Sequence, residues 1–258
     1  MRIVVCVKQV LDTTAEKRLT ADLSLDRTAG EAILNPFDEH ALEAALRLRE
    51  HHGGSVTALS MGPPTAKETI RKALAMGADE AVLVSDPVFA WSDVLGTAYV
   101  LSLAVKRLEP DLVLFGMQST DASTGQVPAA VAEFLGLPQL TFASLLEVTD
   151  GRATIRRATD DGYQVLAAKL PALVSVVKSI NEPRYPSLKG IMKAKRAEVA
   201  VWSCADIGAD ASRVGRTGAA ARVVSSSAVE KRVAGRVIRD DGTAVEQIVG
   251  FLVEKRVL

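Results

Sequence analysis

The segment GMQSTDASTGQVPAAVAEFLGLPQ, residues 116–139, holds the residue types best suited to chemistry. It follows the apolar run Leu112–Phe115, so it leaves the carboxyl end of a strand, where open α/β sheets bind ligands. Ser123, Thr124, Gly125 and Gln126 then open a helix, with backbone N–H groups and two hydroxyls at its start, and no acid lies between Asp121 and Glu133. Such a start holds a phosphate through its N–H groups and the positive end of the helix dipole. The same residues also suit an ordinary Ser/Thr-capped helix, and both readings stay open. The run NPFDEHALEAALRLRE, residues 35–50, is the opposite case. Asp38 and Glu39 in its first turn would repel a phosphate, so any contact with a nucleotide would be to adenine or ribose. By itself it is a well-capped surface helix.

A third segment, INEPRYPSLKGIMKAKRAEV, residues 180–199, carries no reactive group. Pro183 and Pro186 forbid a regular helix at its start. Tyr185, Leu188, Ile191 and Met192 are interleaved with Arg184, Lys189, Lys193, Lys195 and Arg196. Projecting apolar groups with a basic rim suit a docking surface around 180–193, and equally a loop folded back on the core.

Other chemistry is poorly represented. No GxGxxG follows the first strand, and there is neither a Walker lysine loop nor a Ser-Gly-Gly pyrophosphatase loop. Cys6 lies in an apolar strand with no histidine near it in sequence, so no catalytic constellation is expected. His40, His51 and His52 with Cys6 and Cys204 offer no metal-ligand spacing. Two distant cysteines exclude a disulfide framework and point to a reducing, cytoplasmic setting. The 31 basic residues balance 31 acidic ones, which argues against a nucleic-acid or anionic-membrane surface. No apolar run is long enough to insert into a membrane, and MRIVVCVKQV reads as a strand rather than a signal peptide.

The elements that must position these residues alternate. Strands are expected at Ile3–Val7, Val56–Ser60, Ala81–Val84 and Leu112–Phe115, with helices at Pro36–His51, Thr65–Met76, Ser92–Leu108 and Thr124–Leu135. Apolar, nearly uncharged strands alternating with helices predict a doubly wound, mostly parallel α/β sheet. Asn35 precedes Pro36 as a helix cap, and Gly77 and Gly136 stand where helices stop. Asp150-Gly151 and Asp161-Gly162 mark turns between β-rich runs at Leu145–Thr149, Ala153–Arg157 and Tyr163–Ala168, followed by Ala172–Val177, an antiparallel extension. One α/β domain is expected over 1–203. From 204 to 258 an extended arm ends in an amphipathic helix, Val245–Val253, whose Ile248, Val249, Leu252 and Val253 need an apolar surface.

The segments VCVKQV, LNPFDEHALEAALRL, ETIRKALAMGADEAVLV, GMQSTD…GQVPAAVAEFLGLPQLTFAS and NEPRYPSLKGIMKAK occur in an order that resembles the beta subunits of electron-transfer flavoproteins. The resemblance covers roughly residues 1 to 200, and several of its segments are long and unusual. It implies a Rossmann-like, adenine-nucleotide-binding fold and a heterodimer whose alpha subunit holds most of the FAD. Electrons would enter from flavin dehydrogenases, such as acyl-CoA dehydrogenases, and leave to a membrane quinone oxidoreductase. The chain would carry electrons without being an enzyme. The resemblance also implies an AMP site at Cys6, at Asn35, Pro36, Phe37 and Asp38, at Met61, and from Asp121 through Ser123, Thr124, Gly125, Gln126 and Val127 to Ala132. Leu188 matches the residue that enters the partner dehydrogenase, and the arm would wrap the alpha subunit. Met117 stands where relatives often have Lys or Arg. The stretch SDPVFAWSDVLGTAYVLSLA resembles bifurcating relatives in which a second FAD replaces AMP, with Trp91 and Val94 departing from that pattern. A free-standing adenine-nucleotide sensor is the alternative from another class, and the long arm speaks against it. A pyrophosphatase-type hydrolase lacks its glycine–serine loop.

Overall fold

Strand alternation in the first ten residues already sets the architecture. The structure, a computed structural model, describes residues 1–227, 235 and 237–258. The strand β1 (Arg2–Cys6) places Ile3 and Val5 in one buried cluster and Val4 and Cys6 in another, one on each face of the sheet. A strand buried on both faces must be covered by helices on both. The helices α1 (Pro36–His52) and α2 (Ala66–Met76) supply the first cover through Leu42, Leu46 and Ile70. The helices α3 (Val94–Leu108) and α4 (Val127–Leu135) supply the second through Val100, Leu101, Val105 and Val131.

The main sheet has nine strands in the order β11-β5-β4-β1-β6-β10-β7-β8-β9. Here β4 is Ser55–Met61, β5 Glu80–Val84, β6 Leu112–Gly116, β7 Gln139–Thr149, β8 Arg152–Thr159, β9 Gly162–Lys169, β10 Ala172–Val176 and β11 Ala200–Trp202. Pairing is parallel from β11 across to β7 and antiparallel for β7–β8 and β8–β9. The short strands β2 (Gln9–Leu11) and β3 (Ala32–Leu34) form a separate antiparallel pair. The chain winds outward from β1 through β4 to β5, then crosses by α3 to β6 on the other side of β1. That reversal opens a crevice outside the carboxyl ends of β1 and β6.

The sequence expectations differ from the structure at several places. Ala172–Val176 (β10), expected in the antiparallel extension, instead pairs in parallel with both β6 and β7. The helix expected from Thr124 starts at Val127, because Ser123 (φ 50°) and Gly125 (φ 63°) are left-handed. Strand β7 starts at Gln139 rather than Leu145, since its first residues pair with β10 before β8 takes over. A helix, α5 (Leu188–Arg196), forms inside the expected loop: the prolines end at Pro186, and the Ser187 hydroxyl accepts the Gly190 N–H at 3.0 Å. The first compact unit runs from Met1 to Val223. Val214 is buried, and the Asp210 and Gly215 N–H groups donate to Tyr99 Oη and Ser92 Oγ at 3.1 and 2.8 Å. A four-residue helix, α6 (Gly215–Gly218), follows. The second unit, Val224–Leu258, contains α7 (Ala244–Glu254). Residues 228–234 and 236 of the expected arm lie outside the described residues.

Candidate functional site

Five chain segments meet at the crevice: the end of β1, the start of α1, the end of β4, the loop 117–126 and the start of α4. Gly116 lets them approach. A Cβ there would lie 2.5 Å from Asp38 Oδ1 and 2.6 Å from the Phe37 carbonyl carbon, so only glycine admits the first turn of α1 against β6.

Asn35 has a different task from the one its position suggested. Its side chain makes no capping bond to α1. Instead Nδ2 donates to Gln118 O at 2.9 Å and Oδ1 accepts from Thr120 N at 3.2 Å. A buried amide thus reads both backbone polarities of the loop after β6, which a cap could not do. Phe37 lies under Lys178, whose Nζ is 4.6 Å from the ring centroid.

Asp121 closes the loop. Its carboxylate, with 1% of the side chain exposed, accepts from Lys8 Nζ and Arg27 Nη1, each at 2.7 Å. Burial would raise its pKa, but Lys8, Ser119 and Arg27 outweigh burial and hold the carboxyl below its ordinary value. Lys8 also donates to Ser119 Oγ at 3.3 Å and so bridges the ends of β1 and β6 across the crevice. Asp38 shows the reverse balance. Burial pushes its carboxyl up to about 7, although the Lys8 backbone N–H donates to it at 2.8 Å. Burial, and then Asp38, raise the Cys6 thiol, which leaves it protonated and inert as a nucleophile.

The loop itself turns twice to the left. Ser123 N–H donates to Ser119 O at 2.9 Å, and its hydroxyl reaches the same oxygen at 3.3 Å. Gly125 (φ 63°) and Gln126 (φ −96°) then alternate in hand, the pattern that gathers successive N–H groups into an anion-binding concavity. No acid stands in the first turn of α4. Thr120 Oγ1 is buried without a hydrogen-bond partner, an open polar position in a loop whose neighbouring groups are tied. A loop with a glycine turn, an acid-free helix start and an unpaired hydroxyl fits a nucleotide phosphate.

The structure therefore brings Cys6, Asn35, Pro36, Phe37, Asp38, Met61, Asp121, Ser123, Thr124, Gly125, Gln126 and Val127 to one end of the parallel strands. Lys8, Arg27, Gly116 and Thr120 belong there too and carried no local signal, apart from Lys8 as the first charged residue after β1. Tyr185, Leu188, Ile191 and Met192 sit elsewhere, on and before α5, with Tyr185 92% and Leu188 79% exposed. The same α5 is seated on α2: Ala194 is buried, and Arg71 Nη1 donates to Ala194 O and Ala197 O at 2.6 and 2.9 Å. Among the described residues no cluster could hold a metal ion, and no helix is long and apolar enough to cross a membrane.

Comparison with known proteins adds the following. The electron transfer flavoprotein domain matches residues 22–207. The electron transfer flavoprotein subunit beta of Mycobacterium leprae is 46% identical over 263 residues, covering 99% of each chain. That of Clostridium acetobutylicum is 40% identical, covering 99% of this chain and 97% of its own. The caffeyl-CoA reductase-Etf complex subunit CarD of Acetobacterium woodii is 38% identical over 99% of this chain and 97% of its own.

Proposed function

The chain belongs to the electron transfer flavoprotein family, among its beta subunits, and we propose that it works as half of a heterodimer whose alpha subunit holds most of an FAD. In this reading it receives electrons from flavin dehydrogenases, such as acyl-CoA dehydrogenases, and passes them to a membrane quinone oxidoreductase from the cytoplasm. The flavin supplies the one- and two-electron chemistry when bound. This chain's residues bind, orient and dock, and none performs covalent catalysis.

The observation that carries the reading is the loop after β6. Its left-handed Gly125, its acid-free helix start and its clamp by Asn35, Lys8 and Asp121 suit the phosphate of a buried AMP. Cys6, Asn35–Asp38 and Met61 would line the remaining side, where Asp38, its carboxyl pushed up to about 7 by burial, would donate to adenine or ribose in its protonated form. A second reading, in which a second FAD replaces AMP and electrons are bifurcated, draws on the likeness of residues 85–104 to bifurcating relatives.

Denaturing the co-purified heterodimer and weighing the released nucleotides tests both. One FAD with one AMP is the expected result, two FAD would favour the second reading, and one FAD alone would overturn the nucleotide site. Thr124→Asp should abolish AMP retention by like-charge repulsion while leaving FAD bound.

A further inference from the structure

The chain between β2 and β3 makes an excursion that the nucleotide reading does not use. Asp12 N–H donates to Glu31 O at 2.8 Å and closes its neck. Leu19 bridges Leu25, and Asp26 N–H donates to Arg18 O at 2.9 Å, so residues 12–31 form an irregular hairpin. A Cβ on Gly30 would come within 2.8 Å of the Ala15 Cβ, so the two legs touch.

This hairpin has no core of its own, for no residue from 12 to 31 is buried. Polar tethers hold it at two places. On one side Arg27 Nη1 reaches Asp121 at 2.7 Å and Lys17 Nζ reaches Thr120 O at 2.9 Å, both on the loop after β6. On the other side Asp22 accepts from Arg216 Nη2 at 2.5 Å. Arg216 in turn lies 4.8 Å from the ring centroid of Trp91, in the turn that follows β5. Strands β4 and β1 lie between β5 and β6, so the hairpin spans the carboxyl ends of the strands that frame the crevice.

We propose that the Asp12–Glu31 hairpin is a strap that retains the nucleotide, and that Arg27 is a positioning residue which fixes the phosphate loop through Asp121. The inference rests on the nucleotide reading above. Segments with few apolar contacts open locally far more often than the core does. Opening the strap requires these polar tethers to part, whereas the other walls of the crevice are packed strands and helices and the loop 117–126, which Asn35 also holds. Nucleotide release therefore follows strap opening, and the tethers set its rate. Ion pairs that are partly exposed weaken with salt, so release should also respond to ionic strength.

The test uses the intact heterodimer loaded with radiolabelled AMP and chased with excess unlabelled AMP. Arg27→Gln should speed release on the order of tenfold, which corresponds to losing about 1.4 kcal/mol of restraint. Arg27→Lys should restore most of the slow release, and Asp22→Asn should speed it through the other tether. Raising the salt should speed the wild type and leave the Arg27→Gln, Asp22→Asn double variant nearly unchanged. Wild-type release rates in both single variants would overturn the strap. So would fast release in Arg27→Lys with no response to salt, which would mark Arg27 as structural only. Failure of the nucleotide reading is distinguishable: a wild-type heterodimer that takes up no AMP fails at loading, before any variant is compared.

Discussion

Asp38 and Asp121 are carboxylates of one crevice driven in opposite directions, and the difference lies in what reaches each. Two cationic side chains bond Asp121, whereas Asp38 is bonded by backbone N–H groups and the neutral Asn35 side chain, lies beside a buried thiol and feels the Lys8 charge only weakly against its burial. The consequence for stability follows from proton linkage. The folded Asp38 titrates at about 7 against an ordinary 3.8, so folding takes up a proton between those values. Its contribution is full below the unfolded pKa and is lost as pH rises through the folded one. Asp121 acts oppositely, stabilising above its unfolded pKa and failing as pH falls. Replacing Asp38→Asn removes only the first effect. The variant's stability relative to wild type should therefore rise from about pH 4 to about pH 7, by up to roughly 4 kcal/mol. Urea unfolding of both proteins at about pH 4.5 and about pH 7.5 checks this. An equal difference at the two values would refute the burial-driven shift.

At the scale of the element, α5 separates seating from display. Gly190 faces α2, where a Cβ would stand 2.3 Å from Ala75 O, while Leu188 in the first turn points away from the core. Two substitutions two residues apart should then behave differently. Leu188→Ala removes exposed surface and should change stability by less than about 0.5 kcal/mol. If Leu188 anchors a dehydrogenase, its loss should slow reduction of the heterodimer by about thirtyfold, the equivalent of roughly 2 kcal/mol. Gly190→Ala should instead lower the melting temperature by lifting α5 off α2, and slow reduction as well. A Leu188→Ala protein with a much lower melting temperature and an unaltered reduction rate would reassign Leu188 to packing.

For the whole molecule, the second unit is the part that most needs another surface. In α7 only Ala244 is buried, while Val245, Ile248, Val249, Phe251 and Val253 are exposed. An eleven-residue helix is marginal in water without packing. Amides of 244–254 should exchange rapidly in the isolated chain and slow by at least about tenfold in the heterodimer, where an alpha subunit would cover the apolar face. Those of β1 and β6, buried within the sheet, should be protected in both. Equal exchange of α7 with and without the alpha subunit would remove the arm from the interface.

What the sequence by itself determined was everything that depends on near neighbours in the chain. Alternation in β1, glycine stops after α2 and α4 and the Asp-Gly turns at 150 and 161 act over a few residues, and the strand and helix order followed from them. The segment Ser123–Val127 was legible for the same reason, since glycine and hydroxyls before an acid-free helix are a local pattern. The tertiary structure decided which groups act on that segment. Asp121 is joined to Lys8 across 113 residues and to Arg27 across 94, and Asn35 turns its amide to a loop more than 80 residues away. Locally Asn35 is a helix cap and Arg27 a surface cation. Only the crossover from β5 to β6 brings the loop beside β1, and a buried carboxylate there has to be paired. Charge pairing acts through space, and only the fold supplies the distances that decide it.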